Sequence, residues 1–202
     1  MLFAHVVPAY FAATVSQRRW PAEWTRAQRL VIWGAAFGSV AAPDVDIVTN
    51  VLAGRYINHS YNLLWTHSLF THLGVALLWF VLWRLGRRPY LRTLIGLVAI
   101  GGLSHLLLDA IAHGTPLFNP FTLALVGFPP ARIVAGGFWA YVTDPLFLLE
   151  PYLLALAGVH WLAHNCPAPR LRRLALLAVA GVLESWTIAF VWMLPGLQQM
   201  LR

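Results

Sequence analysis

The sequence predicts an all-α fold: a polytopic membrane helix bundle of about five to six transmembrane helices, forming one integral-membrane domain over residues 1–202. Three observations predict it. First, 59% of the 202 residues are hydrophobic and only 10% are charged, whereas a soluble domain carries about 25% charged residues. Too little polar surface remains to cover a water-facing globule. Second, apolar runs close to the ~20 residues that a bilayer crossing requires recur along the chain. Third, clusters of arginine alternate with connections nearly free of it. Ten Trp and six Tyr add rings that favour the membrane interface.

The first segment, Leu2–Val15, is short and contains Pro8. Leu30–Val48, Ser68–Leu85 and Leu91–His113 follow, then Asp144–His164 and Leu171–Leu194. Gly and Pro crowd the stretch Gly114–Thr143, so it reads as a long loop, re-entrant around Phe121–Val126 or acting as a lid. No repeat, low-complexity tract or linker divides the chain. No basic n-region with a following A-x-A-like site is present, so no cleavable signal peptide is expected. The single cysteine, Cys166, permits no internal disulfide.

The net charge is +7 and every basic residue is Arg. Arg18, Arg19, Arg26 and Arg29 lie between the first two segments. Arg84, Arg87, Arg88 and Arg92 join the third to the fourth, and Arg170, Arg172 and Arg173 join the last two. The other connections hold only Arg55 and Arg132, and Arg202 ends the chain. This alternation is the positive-inside pattern: the basic loops are cytoplasmic and both termini lie outside. Anchoring and orientation account for the charge, so nucleic acid is not expected as a partner.

That topology gathers the acids. Asp44, Asp46, Asp109 and Asp144 are the only aspartates, and all four fall at the outer face. Asp109 lies about 27 Å along its helix from Leu91, at 1.5 Å per residue. His5 and His67 join them from the outer starts of the first and third segments. His105 precedes Asp109 by four residues, so one helix face carries both. Carboxylate oxygens mixed with imidazole nitrogens suit zinc or a similar divalent ion, one or more. Ionisable residues at membrane depth are costly and usually functional.

The remaining polar residues have plainer readings. Asp144 precedes Pro145 and reads as an N-cap as readily as a ligand. His160 and His164 repeat the i,i+4 spacing at the opposite, cytoplasmic end, where snorkelling or capping explains them. His72 follows His67 by five residues, about 140° around a helix, which points to packing. His59 and His113 lie at the outer side, able to ligate, to contact substrate, or simply to face water. Glu150 and Glu184 fall nearer mid-membrane on apolar helices, where burial and bonding to neighbouring helices is the expectation.

Taken in order, Ala-Pro-Asp44-Val-Asp46, Trp65-Thr66-His67-Ser68-Leu69, Ser104-His105-Leu-Leu-Leu-Asp109 and Gly114-Thr-Pro-Leu-Phe-Asn-Pro120 resemble the motifs of the YdjM-like family of membrane-bound metal-dependent hydrolases. An early His, here His5, fits that pattern, and the resemblance covers about residues 1–145. Two departures stand out. The family often reads His-Arg-Gly-x-Thr-His-Ser where this chain has Asn62-Leu63-Leu64 before Trp65, and His113 replaces a more usual Thr or Ser. The resemblance implies a helical fold distantly similar to zinc-dependent phospholipase C, set in a bacterial or archaeal inner membrane. It also implies a phosphoester in a lipid or lipid-linked substrate, cleaved at the extracytoplasmic face by metal-activated water.

On that reading His5, Asp44, His67, His105 and Asp109 ligate, and Asp46 ligates, orients a ligand or takes part in catalysis. Asp144 is a further ligand or the general base. Thr66, Ser68, His113 and Asn119 contact substrate, and Arg132 pairs with a phosphate. Two other classes remain: an ion or proton transporter, which needs ionisable groups spaced through the membrane, and a non-catalytic scaffold with a closed metal shell.

Overall fold

The computed structural model describes residues 4–54, 65–86, 88–112, 114–127 and 149–200. Among them are seven α-helices and no strand: α1 (Val6–Gln17), α2 (Arg26–Ala41), α3 (Val45–Leu52), α4 (Leu69–Arg84), α5 (Pro89–Ala112), α6 (Leu149–Asn165) and α7 (Pro169–Met200). A 3-10 turn, Trp65–His67, leads into α4.

Local chemistry sets the helix boundaries. Thr25 caps α2 in a capping box: its hydroxyl accepts from Gln28 N–H while the Gln28 side chain accepts from Thr25 N–H. Ser68 caps α4 by accepting from Phe70 N–H. The apolar run predicted as Leu30–Val48 breaks at Pro43, which has no N–H to continue the ladder. Asp44 N–H bonds the Ala41 carbonyl instead of continuing in helical register. The chain restarts as α3, bent 66° from α2.

Helix α5 is the centre of the bundle and packs against α1, α2 and α4. Its glycines permit the approach. A Cβ on Gly101 would run into Ser39 of α2, one on Gly102 into the His72 ring of α4, and one on Gly96 would stand 2.7 Å from Trp79 Nε1. Ala9, Ala13, Ile32, Ala36, Val40 and Leu97 fill the seam between α1, α2 and α5, with Trp24 closing one end. Small side chains and close backbones are how helices associate in lipid, where there is no hydrophobic drive between them.

The outside of the bundle is apolar. Leu73, Leu77 and Phe80 of α4, and Leu177, Ile188 and Trp192 of α7, are exposed. A patch of this extent belongs against hydrocarbon. Against the five to six spans expected from sequence, two described helices are long and apolar enough to cross a membrane, α5 and α7. The bent α2–α3 pair makes a third if it is one span, and α4 is apolar but only 16 residues long. Of the loop expected over Gly114–Thr143, residues 114–127 are described. They are pinched by a bridge between Thr115 and Val126 and tied to α4 by Leu69 N–H bonding the Leu117 carbonyl.

Candidate metal centre

Four separate stretches of backbone bring the donors together. Helix α5 contributes His105 and Asp109 from one face, and the α2–α3 break contributes Asp44. The 3-10 turn contributes His67, and the residue ahead of α1 contributes His5. His105 Nε2 lies 3.0 Å from Asp109 Oδ2 and 3.4 Å from Asp44 Oδ1. His67 Nε2 lies 3.5 Å from Asp109 Oδ2 and 3.6 Å from Asp44 Oδ1. One ligand atom from each of Asp44, His67, His105 and Asp109 can be chosen so that all four fall within 4.8 Å of one another.

Donors around a tetrahedral ion with bonds of about 2.1 Å stand about 3.4 Å apart, so the four side chains form a donor set that can hold a metal ion. The burial pattern agrees. His67 and His105 have no exposed surface and Asp109 has 2%, while the Asp44 side chain is 37% exposed and marks the opening. His105 Nε2 and His5 Nε2 are both buried and face Asp109 carboxylate oxygens at 3.0 and 3.3 Å, a crowding of nitrogen and oxygen donors that a shared ion would satisfy.

The orientation of His105 is fixed from behind. Its Nδ1–H donates to the Val40 carbonyl at 2.7 Å, which leaves Nε2 as the lone-pair nitrogen facing the carboxylates. That carbonyl is available because Asp44 N–H bonds Ala41 instead. Holding a ligand's far nitrogen in this way is the usual support of a metal-binding histidine. No single residue in the sequence marks the Val40 carbonyl; Pro43, which ends the ladder, is the signal that could have pointed to it.

His5 adjoins the set. Its Nε2 is 3.3 Å from Asp109 Oδ1, and its ring centre is 4.1 Å from that of His105. Asp46, completely buried, lies on the other side of His67, with Oδ2 3.9 Å from Nδ1. Burial opposes protonation of His67, but the carboxylates of Asp109, Asp44 and Asp46 outweigh it, so its pKa is raised above 6.5.

Around this centre the predicted contact residues take specific places. Thr66 Oγ1 is 3.5 Å from His67 Nδ1. The Ser68 hydroxyl donates to the Asn119 carbonyl at 2.5 Å, and Asn119 is buried; together they dock the 114–127 loop onto the start of α4. His72 turns away from the donors, as its spacing predicts, and Nε2–H donates to the Thr66 carbonyl at 2.8 Å. It thereby steadies the turn that carries His67. His59, His113, Arg132 and Asp144 lie outside the described residues.

Two expectations are corrected. Glu150 is buried and bonds another segment, but not at mid-depth: Glu150 Oε2 accepts from Ala4 N–H at 3.0 Å, beside His5. Glu184 is not buried between helices but exposed on α7, which packs against α6 alone among the helix pairs in substantial contact. His160 and His164 do stand at the opposite end. His160 shares a 3.0 Å hydrogen bond with Tyr10, and His164 Nδ1–H donates to the His160 carbonyl.

A family model described as YdjM inner membrane protein matches residues 1–194. No curated protein and no solved structure matches the chain.

Proposed function

The chain belongs to the YdjM inner membrane protein family, and from that premise we propose that it is a membrane-embedded, metal-dependent hydrolase. It cleaves a phosphoester bond of a lipid or lipid-linked substrate at the extracytoplasmic face. The observation that carries this reading is the convergence of Asp44, His67, His105 and Asp109 from three stretches of backbone into one largely buried donor set.

These four residues would hold the ion, with His5 beside them, and two imidazoles with two carboxylates suit zinc. When bound, such an ion lowers the pKa of water to about 7 and offsets phosphate charge. The protein's own groups do the rest. Val40 fixes the His105 tautomer through its carbonyl, and Asp46 biases the His67 ring from its Nδ1 side. Asp44, the solvent-reached member, faces the approach of substrate and water. By the family resemblance, Asp144 would accept the proton of the attacking water or serve as a further ligand, Arg132 would pair with the phosphate, and Thr66 and His113 would contact the substrate. A site at one end of an apolar bundle lets a lipid present its head group while its chains stay in hydrocarbon. Against a transmembrane relay stands Glu150, which bonds Ala4 next to the donor set rather than marking a step through the bilayer.

The test is hydrolysis of phosphatidic acid and other phospholipids in mixed micelles by zinc-loaded protein, with phosphate and head-group release measured. The expected result is turnover that a chelator abolishes, zinc restores and Asp109→Asn lacks. A protein that keeps its zinc but releases neither product from any of these lipids contradicts the hydrolase and leaves a metal-clipped scaffold.

A further inference from the structure

A second polar cleft lies at the end of the bundle away from the donor set. It has a volume of about 690 Å³, within the range of ligand pockets, and opens between α1, α2 and α6. Its walls include Tyr10, Arg18, Trp33, Phe37, His160 and His164. None of its lining residues is an Asp or Glu. Neither His5 nor any of Asp44, His67, His105 and Asp109 lines it, so this cleft is separate from the metal centre.

The chemistry of the walls is graded. Helix α2 runs away from the arginine-rich end, so Phe37 lies one turn deeper than Trp33, and the two rings stack at 5.7 Å. Tyr10 and His160 cross the cleft with their shared hydrogen bond. At its mouth are Arg18, Gln17, His164 and Asn165. The Arg18 side chain is exposed, makes no hydrogen bond or ion pair among the described residues, and stands within electrostatic reach of His160. The cleft is therefore cationic and hydrogen-bonding at the interface, aromatic and apolar further in.

We propose that this cleft binds an anionic phospholipid from the leaflet at the arginine-rich end. Its phosphate sits against Arg18 and the His164–Asn165 turn, and an acyl chain runs along Trp33 and Phe37. Charge complementarity selects the occupant: a cleft lined by an arginine and no carboxylate favours an anion. A guanidinium without a partner among the described residues favours phosphate among anions. The aromatic depth of the cleft requires an apolar tail. The lipid would fill the gap beside α6, whose substantial packing among the described helices is on α1 and α7.

The full chain, purified in detergent, is titrated with phosphatidylglycerol and with phosphatidylcholine of matched chains, and binding is read by native mass spectrometry. Phosphatidylglycerol should bind more tightly. Arg18→Gln should weaken it about fivefold, as expected for one arginine at an anionic surface, and Arg170→Gln, which removes the same charge outside the cleft, should not. Millimolar glycerol phosphate should not displace the lipid. Because Arg18 is exposed the variant should fold, and the wild-type preference decides independently of it. Equal affinity for the two lipids overturns the proposal. So does an equal loss with Arg170→Gln, which means diffuse surface charge, or displacement by glycerol phosphate, which means a soluble-phosphate site.

Discussion

The two ends of the bundle carry the same sequence device with different outcomes. His105 and Asp109 on α5, and His160 and His164 on α6, are both polar pairs at i,i+4 spacing on apolar helices. The first pair is buried where three other stretches of chain deliver His5, Asp44 and His67, and its nitrogens and oxygens face one another at 3.0 Å. The second pair lies at an open cleft, with one ring stacked on the other at 4.2 Å and no carboxylate among the described residues that line it. Spacing alone makes two side chains neighbours on a helix. A metal centre needs convergence from separate elements, together with removal of competing water, and only the first pair has both.

Breaking each pair in turn gives the largest effect. His105→Ala removes a donor and should weaken metal affinity by at least about a hundredfold, more than loss of an outer supporting residue. His160→Ala should leave metal content unchanged. Both are measured by metal analysis of the purified protein after dialysis, and equal metal loss from the two variants would erase the distinction.

Packing offers a smaller contrast. Gly102→Ala drives a Cβ into His72, disturbing the hydrogen bond to the Thr66 carbonyl next to His67, and should cost about 1–3 kcal/mol as overpacking does. Gly181→Ala on α7 meets nothing within 4 Å and should be neutral or stabilising by up to about 1 kcal/mol. Thermal unfolding in detergent checks both, and Gly102→Ala should also weaken metal binding.

The mildest test is pH. His67 has a pKa raised above 6.5 in the fold, so in the metal-free protein its imidazolium contributes stability that is fully present below pH 6.5. That contribution is lost as pH rises through the elevated folded value. Metal must expel this proton, so affinity rises over the same interval. The metal-induced increase in unfolding temperature should be larger near pH 8 than near pH 6; equal increases would remove His67 from the ligand set.

Much of this was legible in the sequence, and the rest was hidden for identifiable reasons. Apolar runs and arginine clusters located the helices and separated the two ends, because lipid imposes those patterns directly. His105 and Asp109 were legible as a pair since helical spacing is local. The bend at Pro43 was not: the sequence reads Leu30–Val48 as one segment, but the 66° turn frees the Val40 carbonyl and puts Asp44 at the mouth and Asp46 behind His67. Glu150 was misplaced because hydropathy gives depth along a helix only when the helix ends are known. The Gly101 and Gly102 contacts, which set how closely α2 and α4 approach α5, depend on three-dimensional neighbours that no local pattern records.

Asp44, His67, His105 and Asp109 form the donor set proposed to hold a catalytic metal ion. The most direct measurement is the metal content of the purified full chain by mass spectrometry, beside a His105→Ala, Asp109→Ala double variant of verified helicity. At least about one equivalent of zinc or a similar divalent ion should accompany the wild-type chain, and the variant should have none. A folded wild-type protein that neither carries nor takes up stoichiometric metal would rule out a metal centre at these residues.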